Sequence, residues 1–171
     1  RIRRFLGRSL AMLEFRSCLL LERLKVSCPP PVLAGANISP LGTYESLLVC
    51  RYLPHHVNGK DFLKQCGDQA ARKNFLSAVA GDLAVIHGNG LFHKDTNFSN
   101  ILCNPQDSGR ISWIDNDVKK IGSELDNYEK LALKRFQKAM VRNNLLNTME
   151  WDFFVESYRK NMARRKKGET L

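Results

Sequence analysis

The stretch from Leu91 to Asp117 constrains the fold of this chain more than any other part of the sequence. It contains His93, Asp95 and Asn100 in the pattern His-x-Asp-x4-Asn, followed by an apolar triplet, a polar turn, a second apolar segment and Asp115. The two apolar segments predict neighbouring strands that hold the two polar ends of the stretch side by side. A hairpin with surface carboxylates is the alternative interpretation, and the placement of the polar residues at strand edges argues against it.

Phosphoryl transfer explains why these residue types would stand at this spacing. The reaction needs metal ions against the phosphates and a carboxylate that orients the attacking hydroxyl. Asp95 is the candidate acceptor of the hydroxyl proton. Asn100 and Asp115 offer the hard oxygen ligands that Mg²⁺ prefers. The sequence therefore predicts a magnesium-dependent catalytic site built from these three residues.

Length and composition indicate a globular chain of one domain or two compact lobes. The chain has 171 residues and 43% hydrophobic content, which is ample for a core. No run of eighteen apolar residues is present, so no membrane span is expected, and no signal-peptide pattern is visible. The five cysteines show no Cys-x-x-Cys or zinc spacing, which favours buried thiols in a reducing cytoplasm.

The chain carries a net charge of +10, which favours anionic partners such as a phosphate-rich membrane surface, an acidic substrate or nucleic acid. Two basic clusters stand near the ends of the chain: Arg1, Arg3, Arg4 and Arg8, and Arg164, Arg165, Lys166 and Lys167. Neither is interleaved with stacking aromatic residues, so no nucleic acid is expected as a partner. The second cluster is interpreted as a frayed basic end.

A helix is predicted from Ser9 to Lys25, with Ser9 as its N-cap. Its predicted apolar stripe consists of Leu10, Leu13, Leu20, Leu21 and Leu24, and Glu14 falls on the same side as Leu10, Cys18 and Leu21. A carboxylate on an inward stripe needs a cationic partner. Glu22 is the alternative for that role, but it falls toward the polar side of the helix. A half-exposed surface glutamate is the equally favoured alternative for Glu14.

Further elements follow from periodicity and turn signals. Glu45 to Tyr52 is predicted as a buried strand, Asp68 to His87 as a long helix, Glu124 to Asn143 as another helix, and Thr148 as the cap of the last one. The residues expected to face inward on the three helices are Phe75, Leu76, Val79, Ala80, Leu83, Ile86, Leu125, Tyr128, Leu131, Phe136, Met140, Trp151, Phe154, Val155 and Tyr158.

The His-x-Asp-x4-Asn pattern with its following Asp resembles the catalytic loop and metal-binding segment of the protein-kinase-like fold. This resemblance implies an α+β chain with a truncated N-lobe at residues 1–53 and a small, mainly helical C-lobe at residues 54–171. It also implies that Arg51, Tyr52 and Leu53 form the hinge whose backbone binds the adenine of ATP.

Within that fold the chain is similar to the lipopolysaccharide core kinases, which phosphorylate Kdo or heptose. The residues that carry the similarity are Leu13-Glu-Phe-Arg16, Pro29-Pro-Pro-Val-Leu-Ala-Gly35, His93-x-Asp95-x4-Asn100-Ile-Leu102, Ile114-Asp-Asn-Asp117 and the helix closing in Phe154 to Tyr158. The resemblance implies Asp95 as the base, Asn100 and Asp115 as Mg²⁺ ligands, and Glu14 as the partner of a strand lysine. It implies an anionic glycolipid substrate and a cytoplasmic enzyme that is peripheral on the inner membrane through its basic patches.

Two departures from the family pattern bear on activity. Asn116 stands where the family usually has Phe, which changes packing more than metal binding. The sequence contains no glycine-rich loop and starts, at Arg1, just before the helix that carries Glu14. We therefore expect either a longer native product or a degraded reading frame, and an impaired activity for this form because a phosphate-gripping lysine is missing.

Two other functions stay open at this point. One is a small-molecule phosphotransferase of the aminoglycoside or choline kinase type, against which the net positive charge argues. The other is a kinase-like module that binds a partner without catalysis. The presence of Asp95, Asn100 and Asp115 together argues against such a module, since binding alone has no physical need for all three.

Overall fold

The computed structural model describes residues 9–38, 44–121 and 125–167. Its α-helices are α1 (Leu10–Arg23), α2 (Gly59–Gln65), α3 (Gln69–Gly88), α4 (Leu125–Asn143) and α5 (Thr148–Lys166). Its strands are β1 (Pro31–Ile38), β2 (Tyr44–Cys50), β3 (Val57–Asn58), β4 (Leu91–His93), β5 (Ile101–Asn104), β6 (Asp107–Trp113) and β7 (Val118–Lys120). A 3₁₀ turn, Phe98–Asn100, precedes β5. The mixture of long helices and small antiparallel sheets confirms the predicted α+β class.

Helix α1 begins where the sequence predicts. The hydroxyl of Ser9 accepts a hydrogen bond from the backbone N–H of Met12 at 3.0 Å, which satisfies one of the free donors at the helix start. Cys18 and Leu21 are buried, but the prediction that Leu10 belongs to the inward stripe is wrong, because its side chain is 72% exposed. The inward face of α1 is therefore the one that carries Cys18 and Leu21.

Strands β1 and β2 form an antiparallel hairpin against which α1 packs. The prediction of a fully buried second strand is wrong. Leu48 is half-buried opposite Ala34, but its neighbours Leu47 and Val49 are 59% and 39% exposed. Successive side chains of a strand point to opposite faces, and only one face of this hairpin lies against α1.

The core lies between α3 and α5, which pack against each other, and α3 also packs against β6. The six α3 residues predicted to face inward are all fully buried, as are Phe136 of α4 and Phe154 of α5. These side chains join Trp113 of β6 and Phe98 of the 3₁₀ turn in one hydrophobic cluster. Burial of a continuous apolar stripe is what holds α3 in place beneath the 91–117 stretch.

That stretch forms two short antiparallel pairings. β5 pairs with β6, with Ile101 opposite Trp113, and β4 pairs with β7, with His93 opposite Val118. The two strands predicted in this stretch are confirmed. The pairings bring the segment after β4 and the segment after β6 next to each other, as the spacing of the polar residues requires.

Several predictions near the C-terminus are wrong. Asn147 rather than Thr148 caps α5, because its side chain and that of Glu150 bond each other's backbone N–H groups in a capping box. Leu131 is 38% exposed instead of inward. The basic tail is not frayed up to Lys166, since α5 continues to that residue.

Other predictions concern residues or side chains that lie outside the described part of the structure. These are the cluster Arg1 to Arg8 and the side chains of Leu125, Tyr128 and Met140. The division into lobes at residue 53 stays a prediction. No helix among the described residues is long and apolar enough to span a bilayer.

Candidate active site

The loop that follows β4 carries Asp95 on the surface and is held from both sides. The side-chain amides of Asn97 and Asn100 both donate to the backbone carbonyl of Asp95, at 3.1 and 2.9 Å. The hydroxyl of Thr96 donates to the carbonyl of His93. These bonds fix the loop backbone while leaving the Asp95 carboxylate exposed, where a substrate hydroxyl can reach it.

Asn100 also ties this loop to the segment that carries Asp115. Its backbone carbonyl accepts from the N–H of Ile114 at 3.0 Å, immediately before Asp115. Because its Nδ2 atom is committed to the carbonyl of Asp95, its Oδ1 atom is the one left for a cation. The sequence prediction that Asp95, Asn100 and Asp115 come together is consistent with this geometry, although their catalytic roles stay predictions.

Asp115 adopts an unusual backbone conformation. Its φ angle is +52°, in the left-handed region that non-glycine residues rarely occupy and that Asp tolerates better than most. Its side chain is exposed. Residues held in such conformations cluster at functional sites, which makes Asp115 a candidate on grounds independent of the sequence pattern.

These residues fit a hard divalent cation. Within the described ranges no group of three or more His, Cys, Asp and Glu side chains is placed to hold a metal by itself. Magnesium does not require one, since it is usually bound by one or two carboxylates together with substrate phosphates and water. The exposed carboxylate of Asp115 and the free amide oxygen of Asn100 suit that mode of binding.

Glu14 of α1 reaches the same segment. Its Oε1 atom accepts from the backbone N–H of Asn116 at 3.3 Å. Burial raises the pKa of Glu14, the bond to Asn116 lowers it, and the nearby carboxylates of Asp115 and Asp117 raise it. Among residues 9–38, 44–121 and 125–167, no lysine or arginine forms an ion pair with Glu14. The expected cationic partner is therefore not among the described residues.

Asn116 is the residue whose importance the sequence did not indicate. It is 1% exposed, and its Oδ1 atom lies 3.1 Å from Nε2 of His93. Its Nδ2 atom donates to the carbonyl of Trp113 at 2.9 Å and to the sulfur of Cys18 at 3.4 Å. One side chain thus connects α1, β6 and the end of β4. The sequence did show that Asn116 stands where the family usually has Phe, but this difference alone did not predict the contacts of its side chain.

Next to this network, Lys94, directly after β4, pairs with Asp117, directly before β7. The backbone N–H of Lys94 donates to the carbonyl of Asp117 at 2.9 Å, and the two side chains form an ion pair. In β7, the N–H of Val118 donates to the hydroxyl of Ser17 at 3.1 Å. The segment after Asp115 is therefore anchored to both α1 and the loop that carries Asp95.

A cavity of about 480 Å³ opens beside Asp95. It is lined by the loop from Lys94 to Ser99 and by Lys60, Arg135, Lys138, Asn143 and Leu145. Sequence reasoning missed Lys60, Arg135 and Lys138. The i, i+3 spacing of Arg135 and Lys138 places them on one face of α4, but nothing in the sequence related that face to Asp95.

The predicted hinge lies directly after β2. The N–H of Arg51 donates to the carbonyl of Pro30 at 2.9 Å, and Tyr52 is 82% exposed. Among the described contacts, no hydrogen bond joins Arg51, Tyr52 or Leu53 to Asp95, Asn100 or Asp115. Adenine binding by this segment stays a prediction.

Comparison with known proteins decides the family. The family described as "Lipopolysaccharide kinase (Kdo/WaaP) family" matches residues 1–158. The chain belongs to this family. The match covers nearly the whole chain and confirms the resemblance that the sequence motifs indicated.

A relative of known activity extends the comparison. The 3-deoxy-D-manno-octulosonic acid kinase of Vibrio parahaemolyticus serotype O3:K6 (strain RIMD 2210633) is 27% identical over 145 residues. Those residues are 83% of this chain and 58% of that protein, so the chain spans little more than half the length of this relative.

A solved structure of a family member gives the fold. The structure of WaaP in complex with acyl carrier protein superposes with a TM-score of 0.67 at 17% identity. It covers 92% of this chain and 74% of that one. At this identity the likeness concerns the fold alone, and it confirms the prediction of a protein-kinase-like fold for this lipopolysaccharide kinase family member.

Proposed function

We propose that the protein transfers the γ-phosphoryl group of ATP to a sugar hydroxyl of the lipopolysaccharide inner core, on Kdo or heptose. The observation that carries this proposal is the double role of Asn100. Its side chain bonds the carbonyl of Asp95 at 2.9 Å, and its backbone bonds Ile114, the residue before Asp115, at 3.0 Å. A candidate base and two candidate metal ligands thereby come from one continuous hydrogen-bonded unit.

In this proposal the hydroxyl oxygen of the sugar attacks the γ-phosphorus, and the bond to the β–γ bridging oxygen breaks to release ADP. The proton of the hydroxyl passes to the carboxylate of Asp95. Asp115 and the amide oxygen of Asn100 would hold Mg²⁺, which offsets the charge of the phosphates. Arg51, Tyr52 and Leu53 would contact the adenine, and Glu14 would position the segment that contains Asp115.

Membership of the lipopolysaccharide kinase family and the similarity to a 3-deoxy-D-manno-octulosonic acid kinase support a sugar acceptor. Such an acceptor is carried by a lipid, so we infer a cytoplasmic protein that lies on the inner membrane surface. The exposed basic residues Arg164 and Lys167 at the end of α5 suit contact with anionic lipid headgroups.

The cationic cavity beside Asp95 disfavours the aminoglycoside and choline kinase alternative, because acceptors of that type carry positive charge. A non-catalytic module is the second candidate. It is favoured by Glu14, which forms no ion pair with a lysine or arginine among the described residues.

Calorimetric titration with ATP, with and without Mg²⁺, tests the site itself. The parent chain is expected to bind ATP only with Mg²⁺, and Asp115→Ala is expected to lose that binding at least tenfold. Asp107→Ala removes an exposed carboxylate from the first residue of β6 and serves as the matched control. Equal binding by the parent and Asp115→Ala would contradict the metal assignment.

Transfer of radiolabelled phosphate from ATP to a Kdo-bearing lipid acceptor tests the reaction. Label in the lipid that disappears with Asp95→Asn supports the proposal. If ATP binds with metal dependence but no sugar acceptor is labelled, the non-catalytic candidate is preferred.

A further inference from the structure

The cavity beside Asp95 is lined by an excess of positive charge. Four cationic side chains line its wall, and they come from three separate parts of the chain: Lys60, Lys94, Arg135 and Lys138. Asp95 is the one acidic residue that the described residues contribute to the lining. A surface cation is usually just solvated, but four converging on one candidate base raise the local potential for anions.

Lys60 is placed by the close packing of α2 against the catalytic loop. It follows Gly59, which is buried against the ring of Phe75 and the backbone carbonyls of Phe98 and Ile101. The backbone at this point therefore lies in contact with the 3₁₀ turn between Asp95 and β5. Lys60 itself is half-buried, so its position is set by packing and is not merely that of a free surface chain.

Arg135 and Lys138 project from the same face of α4. The guanidinium of Arg135 lies 5.5 Å from the centre of the Phe92 ring, in the geometry of a cation–π contact. Phe92 is buried in β4, directly before His93. Arg135 is half-buried there, and Lys138 stands one turn further along in an exposed position. The contact places Arg135 beside β4, the strand that leads into the loop carrying Asp95, and Arg135 lines the same cavity as that loop.

The four cations are not equivalent. Lys94 is paired with Asp117, so part of its charge is offset. Lys60, Arg135 and Lys138 form no ion pair with any carboxylate in the described part of the chain. Three cations without an acidic partner around one exposed carboxylate leave the cavity with unmatched positive charge.

The position of the cavity indicates which substrate would supply the matching charge. The candidate metal ligands Asn100 and Asp115 do not line it, whereas the candidate base Asp95 does. The cavity therefore lies on the side of the hydroxyl acceptor, away from the residues that would bind the phosphates of ATP through a metal.

We propose that Lys60, Arg135 and Lys138 select the acceptor by binding an acidic group, a carboxylate or a phosphate, close to the hydroxyl that is phosphorylated. This inference rests on the proposed function and assigns the acceptor-specificity residues of that site. A planar guanidinium binds such a group through two parallel hydrogen bonds, and the two ammonium groups add charge without fixed geometry.

The test compares a triple variant, Lys60→Gln, Arg135→Gln and Lys138→Gln, with a control that removes the same charge elsewhere. The control is Lys64→Gln, Lys130→Gln and Lys134→Gln, which changes three exposed lysines of α2 and α4 that do not line the cavity. Far-ultraviolet circular dichroism and thermal melting show whether each variant is folded.

Binding of a Kdo-bearing lipid acceptor is measured without ATP, and the kinetics of transfer are measured where turnover is found. The triple variant is expected to bind the acceptor 10- to 100-fold more weakly than the control, about the loss expected of one or two charge-assisted bonds. The KM for ATP is expected to stay within about twofold, because only acceptor binding is affected.

Two modified acceptors identify the acidic group: one with the sugar carboxylate converted to its methyl ester, and one with its phosphates removed. The parent should lose affinity for one of them, and the triple variant should show no further loss for that same acceptor. The inference is overturned if the triple variant binds the acceptor as the control does, or if only the KM for ATP rises. Because acceptor binding is read without turnover, a lack of phosphotransfer would count against the proposed function and not against this assignment.

Discussion

The amide oxygen of Asn116 lies 3.1 Å from Nε2 of His93, and both side chains are buried. Since an amide oxygen can only accept, Nε2 of His93 carries the proton and donates it. The amide nitrogen of Asn116 is used as well, on the carbonyl of Trp113. The residue after Asp115 is thus bonded through its side chain to the residue two before Asp95, which fixes the separation of the two carboxylates.

Replacement of Asn116 by Leu is expected to destabilise the protein by about 2–3 kcal/mol, because it leaves a buried imidazole N–H and a buried carbonyl without partners. The free energy of unfolding in urea measures this loss. Asn74→Leu, at an exposed position of α3, is the control and should change stability by less than about 0.5 kcal/mol. A similar small change for Asn116→Leu would show that the network is not needed for stability.

The pair of Arg72 and Glu150 holds the wall of the cavity in place. The guanidinium of Arg72 bonds both carboxylate oxygens of Glu150 and the carbonyl of Leu145, a lining residue, at 2.7 Å. The two side chains are 13% and 10% exposed, and hydrogen bonding to Arg72 lowers the pKa of Glu150. This buried pair joins α3 to the start of α5.

Glu150→Ala is expected to cost about 2–3 kcal/mol, since it removes the acidic partner of a largely buried guanidinium and half of the capping box of α5. Glu156→Ala, an exposed glutamate two turns along the same helix, is the control and should be close to neutral. Thermal melting of both variants measures the difference. Equal melting temperatures would mean that water replaces Glu150 without loss.

Much of this arrangement could be predicted from the sequence, because it depends on patterns within short segments of the chain. The spacing of Asp95, Asn100 and Asp115 needs only two adjacent strands to become a site, and apolar segments reveal strands directly. Helix α3 could also be predicted, because its buried residues recur with the period of an α-helix. The start of α1 could be predicted from Ser9, whose side chain caps this helix.

What could not be predicted depends on contacts between distant segments. The cavity residues Lys60 and Arg135 are 35 and 40 positions from Asp95 along the chain, and no periodicity connects them to it. Val49 looked like a core residue by composition, but the number of layers packed on a hairpin is a tertiary property. The cap of α5 was misplaced by one residue because both Asn147 and Thr148 can act as caps.

Because of the carboxyl group of Asp82, we expect the free energy of unfolding to depend on pH. This carboxyl group accepts a hydrogen bond from Nε1 of Trp113 at 2.9 Å, and burial raises its pKa to about 6 from 3.8. A carboxyl whose pKa is raised by folding favours the folded state below pH 3.8, and this contribution is lost as the pH rises to about 6. Above that pH, the folded protein holds a poorly solvated negative charge.

Asp82→Asn keeps an acceptor for Trp113 and removes the titration. We expect the variant to be more stable than the parent by about 3 kcal/mol at pH 7.5, with the advantage shrinking to a few tenths of a kcal/mol near pH 4. Urea denaturation of both proteins between pH 4 and pH 8 measures this difference directly, and other titrating groups cancel in the comparison. A difference that does not vary with pH would show that the pKa of Asp82 is not raised by folding.

Replacement of Gly59 tests whether the loop that carries Asp95 depends on its close contact with α2. A Cβ atom at this position would lie 2.4 Å from the Phe75 ring, 2.9 Å from the carbonyl oxygen of Phe98 and 3.2 Å from that of Ile101. Phe75 is fully buried and the two carbonyls belong to the backbone of the loop and of β5, so none of the three can move aside cheaply.

Gly59→Ala is therefore expected to destabilise the protein by about 2–3 kcal/mol through overpacking. It should also lower the affinity for an anionic acceptor, because Lys60 moves with the displaced backbone. Gly67→Ala is the matched control, since a Cβ atom there meets nothing within 4 Å. Urea denaturation and acceptor binding are measured on both variants. A Gly59→Ala protein as stable as Gly67→Ala would mean that α2 can withdraw from the loop, and Lys60 would then not be held beside Asp95.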